Sequence, residues 1–267
     1  MSEIYRNYKP EIEHSPRWFF VGRTAAQAAI WASMRLEVVD GRSSPKPEPE
    51  PTVLAPTHRS NIDPFTTGIA AHRLGYGRIA YLAKESIPKP MGSRLAPDAS
   101  MGRRAIAATV DFVPNQVIQR IAGHPTKRGG EADKADVNNW GVHELEDMGI
   151  SVVLFPEGTR KKTDLAVNGQ LADGAAFIAI HADSSVTPIG NAGTDHIHLR
   201  RRRDNIVVNR FEDPIVASDY ISAGDHDDPA IVRRAAKDMT ADLASVLQES
   251  YAEAADLVDY LASGRKR

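Results

Sequence analysis

The stretch Thr57-His58-Arg59-Ser60-Asn61-Ile62-Asp63 places a histidine, a serine and a carboxylate within one short segment. It follows an apolar run and opens a helical pattern. A histidine just ahead of a helix, at the end of a strand, sits where α/β folds build their sites. An aspartate five residues on can fold back and accept a hydrogen bond from one ring nitrogen. The other nitrogen is then left as an acceptor, which is what a general base needs. Ser60 and Asp63 also have the spacing of a capping box, although that box usually ends in Glu or Gln. Capping alone accounts for those two residues but not for His58. By itself, His-x4-Asp is a weak signal with many accidental matches.

A second group is Phe155-Pro156-Glu157-Gly158-Thr159-Arg160, directly after the apolar run 150–155. Proline ends a strand and glycine permits a tight turn. The plain reading is a turn with two solvated charges. The sharper one is a polar cradle of Glu157, Thr159 and Arg160 at the carboxyl end of a strand, with arginine suited to grip phosphate bidentately. A third segment, Val186-Thr187-Pro188-Ile189-Gly190, reads alone as an apolar strand carrying a proline, more often core than site.

These residues need a scaffold. The chain has 267 residues, 42% hydrophobic and 25% charged, enough for a sizeable core. Strand patterns fall at 52–55, 78–83, 105–113, 150–155, 186–189 and 206–211. Helical patterns fall at 63–74, 139–148, 173–182 and 229–262, the last as one helix or two. Strands alternating with helices predict an α/β fold with a mainly parallel central sheet covered by helices on both faces. The polar, glycine-containing stretch 124–136 reads as an exposed loop.

Ser43 to Pro51 carries four prolines in the sequence SSPKPEPEP and reads as an extended linker. It divides an N-terminal segment, residues 1–42, from a main domain, residues 52–267. Within the first segment, 18–36 predicts a helix. One side is mostly small (Trp18, Gly22, Ala25, Ala29, Ala32, Leu36); the other mixes Phe20, Ile30, Trp31 and Met34 with Arg23 and Gln27. That mixture fits a membrane interface, or an ordinary packing helix with a few exposed aromatics. The uncharged stretch 24–34 is shorter than the run of about 18 apolar residues that a spanning helix needs. Residues 1–13 are polar and do not read as a secretory signal. Arg200 to Arg203 is either a solvated turn or a patch for anionic lipid.

Charge and cysteine usage exclude several classes. Lys+Arg 33 against Asp+Glu 35 gives a net charge of −2, so no global basic charge draws the chain to nucleic acid. The absence of cysteine excludes disulfides, thiolate metal sites and a cysteine nucleophile, and fits a reducing compartment.

Taken together, the three segments carry far more information than any one. HRSNID (58–63), FPEGTR (155–160) and VTPIG (186–190) stand in the order and at the separations of the motifs of the glycerolipid acyltransferase family. The chain resembles that family over roughly residues 50–220, and Ala83-Lys84-Glu85, Pro90-Met91-Gly92 and Gly174-Ala175 match its less strict positions. The resemblance implies transfer of a fatty acyl group from acyl-coenzyme A, or an acyl carrier protein, to a hydroxyl of a glycerol-based acceptor, with lysophosphatidic acid the favoured one. It implies that His58 removes the hydroxyl proton and that Asp63 orients it. Ser60, Lys84, Glu157, Gly158, Thr159 and Arg160 are then expected around the acceptor, with Arg160 and Lys84 as the phosphate-binding cations. No metal or redox cofactor is implied. The expected setting is the cytoplasmic face of the cell membrane, with the chain held peripherally.

Two departures remove positive charge expected near the head group. No arginine follows Val113 in Val110-Asp-Phe-Val-Pro-Asn-Gln116, and Asp173 stands where relatives tend to have lysine. They leave another lysophospholipid or a glycolipid as the alternative acceptor. Hydrolysis of the thioester by the same His–Asp pair is a further alternative.

Overall fold

The computed structural model describes residues 34–43, 50–60, 62–84, 123–126, 131–158, 171–195 and 205–264. Its centre is strand β2 (Val53–Pro56), every residue of which is buried. A strand that is apolar throughout, without alternation, is one covered on both faces, as in a parallel sheet. It pairs in parallel with β5 (Ser151–Val153) on one side and β6 (Ser185–Ala192) on the other. Beyond β5 come β3 (Ile79–Lys84) and the edge strand β4 (Gly123–Thr126), both parallel to the rest. Beyond β6 the direction reverses. β7 (Ile206–Phe211) is antiparallel to β6, and β1 (Arg35–Asp40) runs parallel to β7 at the other edge. The order is β1-β7-β6-β2-β5-β3-β4, with the short β8 (Ile215–Val216) also on β6.

Helices cover both faces. On one lies α1 (Asp63–Arg73), whose Ala70 and Ala71 pack on Leu54, Ile79, Val153, Ile189 and Phe211. On the other, α2 (Glu131–Glu146), α3 (Gly174–His181) and α4 (Pro229–Ala262) bury Trp140, Ile178 and Leu243 against Val53, Ala55, Val152 and Val186. Successive residues of β2 thus feed opposite layers, as the pleat requires. The expected α/β architecture is present.

The structure changes three expectations and decides a fourth between its two alternatives. The helix pattern over 18–36 does not run to its end: Arg35 and Leu36 are in β1, paired with Ile206 and Val207, and residues 18–33 lie outside the described part. Residues 35–40 therefore belong to the main sheet, although they precede the proline-rich stretch expected as a linker, of which 44–49 lie outside the described residues. The stretch 124–136 is not a loop throughout. It supplies β4 and the first turn and a half of α2, whose Glu and Ala residues favour helix. Pro125 is tolerated because β4 is an edge strand. Last, 229–262 is one helix. Its N-terminus is capped by Asp228, which accepts hydrogen bonds from the Ala230 and Ile231 N–H groups at 2.8 and 3.4 Å. The strand expected at 105–113, the departure at 110–116 and the arginines at 200–203 lie outside the described residues.

Pro188 sits in the middle of β6 for a visible reason. Residues 185–186 pair with β8 and residues 189–192 with β7, so Pro188 falls between two partners on that edge. Its carbonyl accepts the Glu212 N–H at 3.1 Å, and its missing donor interrupts neither ladder.

Candidate active site

The carboxyl ends of β2 and β5, two neighbouring parallel strands, carry the two chemistry-bearing turns. The first is anchored from beneath by a buried polar network. Thr57 donates its backbone N–H to Ile189 O at 3.0 Å, extending the β2–β6 ladder by one residue. Its hydroxyl donates to Asn191 O at 3.1 Å and accepts the Asn191 N–H at 2.9 Å. The Asn191 side-chain amide donates to Thr57 O at 3.2 Å and to Thr67 Oγ1 at 3.0 Å, and Asn209 donates to its Oδ1. Thr57, Thr67, Asn191 and Asn209 are all fully buried. Leaving one buried member unpaired costs about 1–3 kcal/mol, so the network resists rearrangement and fixes the peptide that enters His58.

Past Thr57 the chain turns sharply. Asp63, fully buried in the first turn of α1, folds back over it. Its Oδ2 accepts the N–H groups of Arg59 and Ser60, both at 2.6 Å, and lies 3.0 Å from His58 Nδ1. A carboxylate can only accept, so His58 Nδ1 carries the proton and Nε2 is left with its lone pair. The His58 side chain retains 18% of its exposure, so the pair is buried at the aspartate and open at the histidine. One half of the capping-box pattern is present, the Asp63 carboxylate accepting the Ser60 N–H. The cap position is Ile62 with no side-chain cap, Pro64 occupies the first turn, and Asp63 takes the role of closing the turn.

The second turn braces the first. Phe155 lies against the His58 ring, centroids 4.2 Å apart and planes inclined by 32°. Glu157 is 6% exposed, and its Oε1 accepts the His58 backbone N–H at 2.9 Å. Gly158 has φ +64°, a conformation that L side chains adopt at a cost, and its N–H reaches Phe155 O at 3.0 Å to close the turn. The motifs at 58–63 and 155–160 are therefore joined by hydrogen bond and ring contact.

The Glu157 contact yields a test. Glu157→Gln keeps an oxygen that can accept the His58 N–H, and kcat is expected to stay within about threefold of wild type. Glu157→Ala removes the acceptor and should lower both kcat and melting temperature, since a hydrogen bond to a charged group is worth about 1.5–3 kcal/mol. If Gln costs as much as Ala, the negative charge itself contacts substrate.

Of the other residues expected here, Ser60 takes part through its backbone N–H. Lys84 ends β3, the strand beside β5, so its backbone lies at the same edge of the sheet. Thr159 and Arg160 lie outside the described residues. Thr57, Arg59 and Phe155 stand inside the two motif segments with no role assigned from sequence, and Asn191 and Asn209 lie outside all three segments. Asn191 stands one residue past the VTPIG segment, and no spacing rule marks it.

An open α/β sheet with a histidine–aspartate pair at the carboxyl ends of its parallel strands defines the class: an enzyme scaffold whose site holds an oriented imidazole. The chain belongs to the acyltransferase family, whose model, Acyltransferase, matches residues 36–191. That match takes in β1 through most of β6 and every residue of both turns. Among solved structures, the 1-acyl-sn-glycerophosphate (LPA) acyltransferase PlsC from Thermotoga maritima is similar in fold. The TM-score is 0.53 and the identity 17%, over 88% of this chain and 78% of that one. No curated protein matches the chain.

Proposed function

We propose that this acyltransferase moves a fatty acyl group from the thioester of acyl-coenzyme A, or of an acyl carrier protein, to the free hydroxyl of lysophosphatidic acid. The observation that carries the proposal is the 3.0 Å contact between His58 Nδ1 and Asp63 Oδ2 at the strand ends. His58 Nε2 accepts the proton of the attacking hydroxyl as its oxygen bonds to the thioester carbon. Asp63 holds the ring and supports the imidazolium that forms. Collapse of the tetrahedral intermediate breaks the C–S bond, and the proton on Nε2 passes to the leaving thiolate. No covalent acyl-enzyme is required, and both lone pairs and protons are accounted for by the one histidine.

Acceptor and product are both lipids, so the reaction is placed at a membrane surface, on the cytoplasmic face. Of the aromatic and basic pattern expected over 18–36, Met34 is instead buried against Ile69 and Val207 and Arg35 and Leu36 are in β1, so the part before Met34 is the element proposed to hold it there. Among the described residues, no helix is long and apolar enough to cross a membrane. The deciding experiment is an acceptor screen with radiolabelled palmitoyl- and oleoyl-coenzyme A, the products resolved by chromatography. Labelled phosphatidic acid formed only with lysophosphatidic acid supports the reading. Free fatty acid released at the same rate with or without acceptor overturns it in favour of a thioester hydrolase.

The phosphate has its own test. The planar fork of Arg160 fits a phosphate monoester, whereas lysine offers one point charge. Arg160→Lys is expected to raise the KM for lysophosphatidic acid about tenfold, while the KM for acyl-coenzyme A barely moves. With no arginine after Val113, Arg160 and Lys84 carry a larger share of head-group binding. An unchanged acceptor KM would remove lysophosphatidic acid and promote a glycolipid acceptor.

A further inference from the structure

The C-terminal helix α4 lies beyond the family-matched segment 36–191, yet one of its turns touches both the catalytic turn and the strand that supports it. Ser250 Oγ accepts the Gly190 N–H at 3.1 Å and donates to Arg210 O at 3.3 Å. Gly190 lies between Ile189 and Asn191, the two residues that hold Thr57. The approach is so close that a Cβ at Gly190 would stand 2.4 Å from Ser250 O. The next residue, Tyr251, presents its ring to the Arg59 guanidinium, 4.2 Å from its centroid. Arg59 is 7% exposed, and its own N–H is one of the two that fix Asp63 Oδ2. Ser250 and Tyr251 thus secure the residues on either side of His58.

We propose that Arg59 and Tyr251 are a positioning pair through which the C-terminal helix sets the geometry of His58 and Asp63. The inference rests on the reading of His58 as general base. A cation over an aromatic face is worth most when desolvated, as this one is. The pair fixes the peptide whose N–H holds Asp63, and a displaced carboxylate loses the His58 ring. Buried against Tyr251, Arg59 is separated in role from the head-group cations, although it belongs to the HRSNID motif. A head-group cation would act on acceptor KM, whereas a positioning residue acts on kcat.

The test uses the full chain with four variants: Tyr251→Leu, Tyr251→Phe, Arg59→Met and the double variant Arg59→Met/Tyr251→Leu. Tyr251→Leu and Arg59→Met are each expected to lower kcat about tenfold, with both KM values within about twofold. The double variant should fall no further than the worse single one, because both remove the same contact. Tyr251→Phe keeps the ring and should restore kcat. In parallel, the proton resonance of His58 Nδ1–H reports its hydrogen bond to Asp63 without any turnover. It should move upfield in Tyr251→Leu and return in Tyr251→Phe. Lower melting temperature with unchanged kcat and an unmoved resonance would reduce the pair to ordinary packing and overturn the proposal. So would a rise in acceptor KM confined to Arg59→Met. If wild type shows no acyl transfer, the function reading fails, and the resonance alone decides whether the helix positions His58.

Discussion

His58→Ala is expected to lower kcat by about 10²–10⁴-fold, the range that general base catalysis contributes, while the protein still folds and melts cooperatively. The two halves of that expectation have separate grounds. The imidazole holds a lone pair at Nε2 for proton transfer, because its Nδ1–H donates to Asp63. Removing it leaves the attacking hydroxyl to lose its proton to water. The fold, in contrast, does not depend on the ring. Asp63 Oδ2 keeps the N–H groups of Arg59 and Ser60, and Glu157 holds the residue at 58 through its backbone. What is lost is the contact with Phe155 and one of the three donors to Asp63 Oδ2. Steady-state kinetics beside a thermal melt checks both halves. Near-normal turnover with a normal melt would sink the assignment of His58, whatever the acceptor turns out to be.

That separation between chemistry and scaffold shows what a sequence can display. HRSNID and FPEGTR were legible because each sits in one unbroken stretch at the end of an apolar run, where strand end and turn residues announce themselves. β2, β5, β6 and β7 were legible for a related reason. Strands buried on both faces read as continuous apolar runs, and Ile206–Phe211 has the bounds its pattern implies. β1 was not legible. Arg35-Leu-Glu-Val-Val-Asp40 follows an alanine-rich helical pattern, and its only strand partner among the described residues, β7, begins at Ile206. A helical period can be extended by chance across a short edge strand, and only the distant partner decides the matter. β4 was hidden for the opposite reason. Gly123-His-Pro-Thr126 has little strand propensity and is held by pairing with β3 at the sheet edge.

The supports of the site were hidden for the same reason as β1. Thr57 and Asn191 lie on different strands, and each is an ordinary polar residue by sequence. Burial and mutual pairing make them structural, and those appear only when β2 and β6 lie side by side. The same holds for the bracing role of Glu157, which the sequence marks as a residue of the acceptor cradle and not as a support of His58. In the fold its carboxylate points inward to the His58 peptide. The residues that react are local in sequence, and the residues that hold them in place are not.

Asp63→Asn is expected to lower kcat by roughly 10²-fold, with KM for both substrates little changed and a small loss of stability. The substitution is nearly isosteric, and the geometry predicts which way the new amide turns. Oδ2 accepts two backbone N–H groups and the His58 Nδ1–H, whereas Oδ1 is buried with no hydrogen-bond partner among the described residues. The asparagine carbonyl therefore takes the Oδ2 place and its NH₂ the Oδ1 place, because the reverse would face donors with donors. His58 then keeps its tautomer and its orientation. What disappears is the negative charge beside the imidazolium formed during attack, and the buried NH₂ costs about 1–3 kcal/mol of stability. Asp63→Ala differs in kind: it releases all three donors at once, so kcat and melting temperature should both fall further than in Asn. Comparing the two variants by single-turnover kinetics and thermal melts divides the role of Asp63 into charge and position. If Asn turns over like wild type while Ala does not, Asp63 only holds the ring, and stabilisation of the imidazolium must come from elsewhere in the site. If both fall together with no difference in melting temperature, the charge carries the whole effect.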